Sequence, residues 1–125
     1  MLFHSTRGQD SDRTFEEVLM QGLASDGGLF MPDSWPQVDI DHIKGLGSFL
    51  DVAKYIVPFF TKSSFSDEEV KELLENTWHD FSDTSLAPIH HLDESKVVLE
   101  LFHGPTAAFK DFGLQLAAAL FDKSL

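Results

Sequence analysis

The sequence contains no cysteine. Disulfides, zinc–thiolate sites and thiol nucleophiles are therefore excluded, and the composition suits the reducing cytoplasm, where we expect the protein to reside. Basic residues are also scarce, since 9 Lys and Arg stand against 21 Asp and Glu, for a net charge of −12. Such an acidic surface repels phosphate backbones and anionic lipids, so we expect no nucleic-acid or membrane partner. Apolar runs stay well below the roughly 20 residues that span a bilayer.

Metal-binding patterns are sparse as well. His90 and His91 are adjacent, so in an extended chain their side chains diverge, and no cluster of carboxylates has ligand spacing. We therefore expect no metal site. Phenylalanine is abundant instead, with 12 residues in 125, which gives the chain a large apolar area to bury in a core.

Two capping boxes predict helix starts in the first part of the chain, at Thr14-x-x-Glu17 and at Ser66-x-x-Glu69. Apolar residues at helical spacing follow each box, and we expect the first helix to end at Asp26-Gly27-Gly28 and the other near His79. A further apolar stripe predicts a helix that Pro58 should end or kink.

The last third of the chain has a different pattern. Residues 83–94 have little periodicity, so we predict a connector there and a domain boundary between residues 92 and 93. A strand over 97–102 and a helix over 109–121 follow, with Thr106 as candidate N-cap. Both are apolar on nearly every side, which is typical of elements buried in a larger protein between parallel strands and helices. We therefore expect 1–92 to be the ordered unit and 97–125 to self-associate or to be covered by the rest of a longer chain.

Lys110 is the strongest candidate for chemistry. It lies at the predicted start of the last helix, among apolar residues: Ala107, Ala108, Phe109 and Phe112. Burial disfavours the ammonium form, and so does the positive end of the helix dipole. A neutral amine is the nucleophile that a Schiff base requires. On the residues alone the favoured interpretation is an ordinary lysine, whose stem packs on apolar surface while its amine reaches water.

The fifteen residues around Lys110 resemble the cofactor-lysine motif of the threonine synthase family, E-L-F-H-G-P-T-x-A-F-K-D. The matching segment reads Leu-Glu-Leu-Phe-His-Gly-Pro-Thr-Ala-Ala-Phe-Lys-Asp-Phe-Gly over 99–113. The beginning of the chain is similar to the family's opening in Ser5-Thr6-Arg7-Gly8 and in Asp26-Gly27-Gly28-Leu29-Phe30. The resemblance covers the whole chain, with its strongest matches in these segments.

The resemblance implies an α/β fold. Residues 1–92 would form the small, mostly helical N-terminal domain with short strands. Residues 93–125 would supply the first strand and the lysine-bearing helix of a fold-type-II pyridoxal-phosphate domain.

The resemblance also implies an activity, the conversion of O-phospho-L-homoserine and water to L-threonine and phosphate, the last step of threonine biosynthesis. The cofactor is pyridoxal 5′-phosphate, and Lys110 would bind it as a Schiff base and act as the catalytic lysine of this lyase. Four neighbours could line the active site: His103, Thr106, Phe109 and Asp111. His103 could equally orient its turn by a hydrogen bond, and Thr106 could simply cap the helix.

The Ser-, Thr- and Gly-rich loops that in this family meet the substrate and the cofactor phosphate have no counterpart in the chain. We therefore expect the chain alone to be inactive. Two alternatives stay open: a threonine-synthase-like phospholyase acting on another phosphorylated amino acid, and a non-catalytic fragment that serves folding or association.

Overall fold

The chain folds into five helices and four short strands. The computed structural model describes all residues 1–125. In chain order the elements are β1 (Phe3–Ser5), α1 (Phe15–Gln21), β2 (Phe30–Pro32), α2 (Ile40–Lys44), α3 (Phe49–Thr61), α4 (Asp67–Thr77), β3 (Ile89–His91), β4 (Val97–Leu99) and α5 (Lys110–Ser124). The predicted mostly helical α/β arrangement with short strands is confirmed.

Both predicted capping boxes are present. At α1 the Thr14 hydroxyl accepts a hydrogen bond from the Glu17 N–H, and the Glu17 carboxylate accepts one from the Thr14 N–H at 2.8 Å. At α4 Ser66 and Glu69 exchange the same two bonds. Each box satisfies backbone donors that the first helical turn would otherwise leave without partners.

Two predicted helix ends are wrong. α1 stops at Gln21, ahead of the Asp26-Gly27-Gly28 turn, because Gly22 already takes the left-handed region with φ of 74°. α3 continues through Pro58 to Thr61, so of the predicted end or kink at Pro58 the end is wrong. Pro58 and Thr61 are both buried, so tertiary packing outweighs the backbone hydrogen bond that proline cannot donate.

The strands form two antiparallel pairs. β1 pairs with β2, and Phe3 lies opposite Pro32. The turn before β2 is fixed by the Asp26 carboxylate, which accepts hydrogen bonds from the Ser5 hydroxyl at 2.6 Å and the Gly28 N–H at 2.9 Å. The Ser5 hydroxyl is the main cause that lowers the pKa of Asp26.

The second pair corrects two predictions. β3 lies inside the segment expected to be a plain connector, and it pairs antiparallel with β4, so that Ile89 faces Leu99. β4 covers only Val97–Leu99 of the predicted 97–102, and every residue of the pair is exposed. It has antiparallel pairing and two open faces, whereas the sequence indicated parallel neighbours and burial.

The core lies between α3, α4 and α5. Its buried apolar residues are Ala53, Phe65, Val70, Leu74, Trp78, Phe81 and Leu120. Leu120 belongs to α5, and Phe112 and Leu116 of the same helix pack against the cluster. The last helix therefore has packing partners within residues 1–92, while self-association of 97–125 or its covering by the rest of a longer chain remains a prediction. The division of the chain at residue 92 remains a prediction.

Candidate active site

Lys110 is the first residue of α5. It is exposed, and so is Phe109 before it, so the predicted burial of the amine among apolar side chains does not occur here. In the first turn of α5 Asp111 is buried and Phe112 packs against the core, whereas Lys110 is exposed to solvent. No salt bridge in the structure involves Lys110. Its amine is therefore free to react with an incoming carbonyl compound.

A shallow depression of about 300 Å³ lies beside this amine, lined by Phe109, Lys110, Gly113 and Leu114. Phe109 and Leu114 are 66% and 64% exposed, so both offer apolar surface next to the amine. A reachable primary amine beside apolar surface fits the aldehyde group and the flat ring of pyridoxal phosphate.

Asp111 points in another direction from Lys110. Only 5% of its surface is exposed, and its carboxylate accepts hydrogen bonds from the Thr106 hydroxyl at 2.6 Å and the Thr106 N–H at 2.9 Å. The bond from the Thr106 hydroxyl is the largest cause that lowers the pKa of Asp111, against the opposing effect of burial. The carboxylate is thus occupied by the preceding loop.

The expected capping role of Thr106 is wrong. α5 begins three residues later than that role requires, its N-cap position is Phe109, and no side chain caps it. The Thr106 hydroxyl instead donates to Asp111, inside the helix.

His103 belongs to a separate network. Its Nε2 lies 2.7 Å from the Glu100 carboxylate, and its Nδ1 lies 3.2 Å from the Ser82 hydroxyl. The Ser82 N–H also donates to the His103 carbonyl at 2.9 Å. Of the two roles open to His103, orienting its turn is the one for which the structure supplies contacts.

The predicted residues thus fall into three groups. Phe109 and Lys110 share the depression, Thr106 and Asp111 bind one another, and His103 binds residues that the sequence did not single out. Glu100, three residues before His103, stood in the matching motif and could have been found there. Ser82 gave no signal, because its contact spans 21 residues of chain.

The lysine-bearing helix is attached to the core close to this site. The buried Trp78 donates through Nε1 to the Phe112 carbonyl at 3.1 Å. The Phe112 ring packs at an angle against Phe49 and Phe81, with centroid separations of 5.2 and 4.9 Å. These contacts hold the first turns of α5, and therefore the backbone of Lys110, against α3 and α4.

No group of three or more His, Cys, Asp or Glu side chains is placed to hold a metal ion. None of the helices combines the length and the apolar character needed to cross a membrane.

Comparison with known proteins bears on this lysine-bearing arrangement. A family model described as the threonine synthase N terminus matches residues 2–78. Threonine synthase from Pseudomonas aeruginosa is 43% identical over 128 residues, which cover 100% of this chain and 27% of that protein. The chain therefore spans about a quarter of the length of the curated relatives it matches.

Solved structures give the same result. The crystal structure of pyridoxal-phosphate-bound threonine synthase from Brucella melitensis matches with a TM-score of 0.93 and 35% identity, over 100% of this chain and 27% of that one. Threonine synthase from yeast matches with a TM-score of 0.86 and 35% identity, over 98% of this chain and 26% of that one. The family model covers more than half of the sequence, and the fold agrees along its whole length, so the chain belongs to the threonine synthase family.

Proposed function

We propose that the chain is the N-terminal part of a threonine synthase, a pyridoxal-phosphate-dependent lyase that converts O-phospho-L-homoserine and water to L-threonine and phosphate. The proposal rests on the position, exposure and sequence context of Lys110. It starts a helix anchored to the core, its amine is exposed without an ion-pair partner, and it stands in the segment that resembles the family's cofactor-lysine motif. We place this enzyme in the cytoplasm, as the last step of threonine biosynthesis.

Lys110 has two roles in this proposal. Its Nζ would hold the cofactor through the aldehyde carbon, with loss of water, and the same amine would be placed to carry protons to and from the substrate. Pyridoxal phosphate, when bound, supplies the electron sink for the reaction. Phe109 and Leu114 provide apolar surface beside Nζ, and Trp78 holds the helix in place through the Phe112 carbonyl.

The rest of the active site is assigned to the remainder of a longer chain. Residues 1–92 would be its small N-terminal domain and 93–125 the start of its catalytic domain. The β3–β4 pair crosses this boundary and exposes Ile89, Val97, Val98 and Leu99 to solvent, which supports a longer chain without fixing where it divides. Contiguous apolar surface of this kind marks an interface, and the remainder of the chain is the partner that we propose for it.

The test uses the full-length enzyme that contains this chain, and the 125-residue chain for comparison. After incubation with pyridoxal phosphate and reduction with borohydride, peptide mass mapping should find the phosphopyridoxyl group on Lys110. Lys110→Ala should lose the label and at least about a thousandfold in turnover of O-phosphohomoserine, since it removes both nucleophile and base. The chain alone should show no turnover.

Lys96→Ala is the matched control, because Lys96 is an exposed lysine of the same region whose only ion pair is with Asp93. The Lys96→Ala variant should keep both the phosphopyridoxyl label on Lys110 and the turnover of O-phosphohomoserine. Label on another lysine, with Lys110→Ala still active, would contradict the proposal. Label on Lys110 combined with preference for a different phosphorylated amino acid would support the phospholyase alternative.

A further inference from the structure

A buried carboxylate adjacent to the reactive lysine has no assigned role in the chemistry. Asp111 is among the few charged residues that the chain buries, and its two hydrogen bonds are both made to Thr106, five residues earlier. Burying a carboxylate is unfavourable unless hydrogen bonds replace its water. The arrangement therefore persists only while the loop from Thr106 to Phe109 keeps its shape.

That loop has two features that need to be held in place. Ala107 takes a positive φ of 55°, a conformation that costs energy in a residue with a Cβ. Gly104 lies so close to Asp111 that a Cβ on Gly104 would collide with the Asp111 carboxylate. The carboxylate thus packs directly against the backbone of the loop and binds it through the Thr106 hydroxyl and N–H.

The start of α5 has no side-chain cap. Phe109 at the N-cap position supplies no side-chain hydrogen bond, unlike Thr14 and Ser66 at the starts of α1 and α4. The backbone before α5 is instead bound by Asp111, a residue in the first turn of the helix itself. Successive residues of a helix project about 100° apart, so fixing Asp111 against the loop also sets the direction of the Cα–Cβ bond of Lys110.

We propose that Asp111 is a positioning residue for Lys110: its bonds to Thr106 hold the loop and set the direction in which the amine leaves the helix. The inference rests on the proposed function of Lys110. Asp111 does not touch the cofactor in this role. It acts by fixing the backbone from which the Lys110 side chain extends, which narrows the region that the amine samples.

The measurement is the rate at which pyridoxal phosphate is trapped on Lys110 by borohydride, followed by peptide mass mapping in the full-length enzyme. Thr106→Val removes the hydroxyl and keeps the shape of the side chain at an exposed position. We expect it to slow trapping about tenfold, and Asp111→Asn to slow it at least as much, because small misplacements of a reacting group have large effects on rate. Thr106→Ser, which keeps the hydroxyl, should restore most of the lost rate.

Asp122→Asn is the control, because Asp122 is an exposed aspartate near the other end of α5. This variant should trap the cofactor at the same rate as the parent. In steady-state turnover Thr106→Val should lower kcat with little change in KM, a separation that a general loss of stability would not produce. If Asp111→Asn fails to fold, the pair Thr106→Val and Thr106→Ser still decides the question.

Equal trapping rates in Thr106→Val, Thr106→Ser and the parent would overturn the inference while leaving the proposed function intact. Absence of label on Lys110 in the parent would overturn the proposed function itself. The two failures are therefore distinguishable within one experiment.

Discussion

α4 and α5 pack against each other in one core, yet they are built in different ways. α4 begins with a complete capping box and buries one apolar face through Val70 and Leu74. α5 has no side-chain cap, and the residues it buries are Asp111 and Leu120. The capping bonds of α4 thus join its own N-cap and first turn, whereas in α5 the first-turn residue Asp111 binds Thr106 in the loop before the helix.

The difference matches what each helix does in the proposed enzyme. A helix that supports the core gains from burial along its length, and α4 leaves only its acidic face to water. A helix that presents a reactive amine must keep its first turn accessible, and Lys110 and Phe109 are both exposed. Stability at that turn then has to come from neighbouring contacts, which here are those of Asp111 and Trp78.

The largest effect should come from the buried face of α4. Leu74 is 1% exposed, so Leu74→Ala leaves a cavity in the core and should lower the free energy of unfolding by about 2–5 kcal/mol. Leu114→Ala makes the same chemical change on α5 at a side chain that is 64% exposed, and should cost less than about 0.5 kcal/mol. Urea unfolding of the chain measures both. Equal losses would show that α5 carries as much of the core as α4.

Local signals predicted the starts of α1 and α4, because a capping box depends on residues only three apart. Thr14 with Glu17 and Ser66 with Glu69 satisfy backbone donors of their own helices, so no distant residue is needed. α2 was missed although Asp39 caps it, because five residues are too few for a periodic pattern.

The packing of the last third could not be predicted from local patterns. An apolar run indicates burial without saying against what, and β4 in fact pairs with β3 and stays exposed. The Ser82–His103 bonds and the loop held by Asp111 depend on contacts between elements. The candidate lysine was found because its motif is contiguous. The exposure of Lys110 depends on which side of the first turn of α5 packs against the core, and the motif does not specify this.

The next largest effect on the free energy of unfolding should come from removing the cap of α4, and the same change at the start of α5 gives the comparison. Ser66→Ala removes the hydroxyl that accepts from the Glu69 N–H, and should lower the free energy of unfolding by about 1 kcal/mol. Phe109→Ala changes the equivalent position of α5, where no capping bond exists, and should cost less than about 0.5 kcal/mol. Thermal unfolding monitored by circular dichroism measures both, with the exposed Ser34→Ala as control. A larger loss for Phe109→Ala would mean that the start of α5 is held at Phe109.

The smallest effect concerns the point where the two helices meet, since the Glu69 carboxylate closes the α4 cap and pairs with Lys123 of α5 at 2.9 Å. The Ser66 N–H, and then Lys123, lower the pKa of Glu69 from 4.5 to about 2. Because the pKa of Glu69 is lower in the folded than in the unfolded state, the ionised carboxylate stabilises the protein at any pH above its unfolded-state pKa. This contribution is lost as the pH falls through the folded-state pKa. Glu69→Gln should therefore unfold at lower urea than the parent near neutral pH, and the gap should close between pH 4.5 and 2. Glu68→Gln lies in the same helical turn without the cap or the ion pair, and should leave the pH dependence unchanged. A gap between Glu69→Gln and the parent that stays constant down to the acid limit would show that the carboxylate acts through its shape, and that its charge does not join α4 to α5.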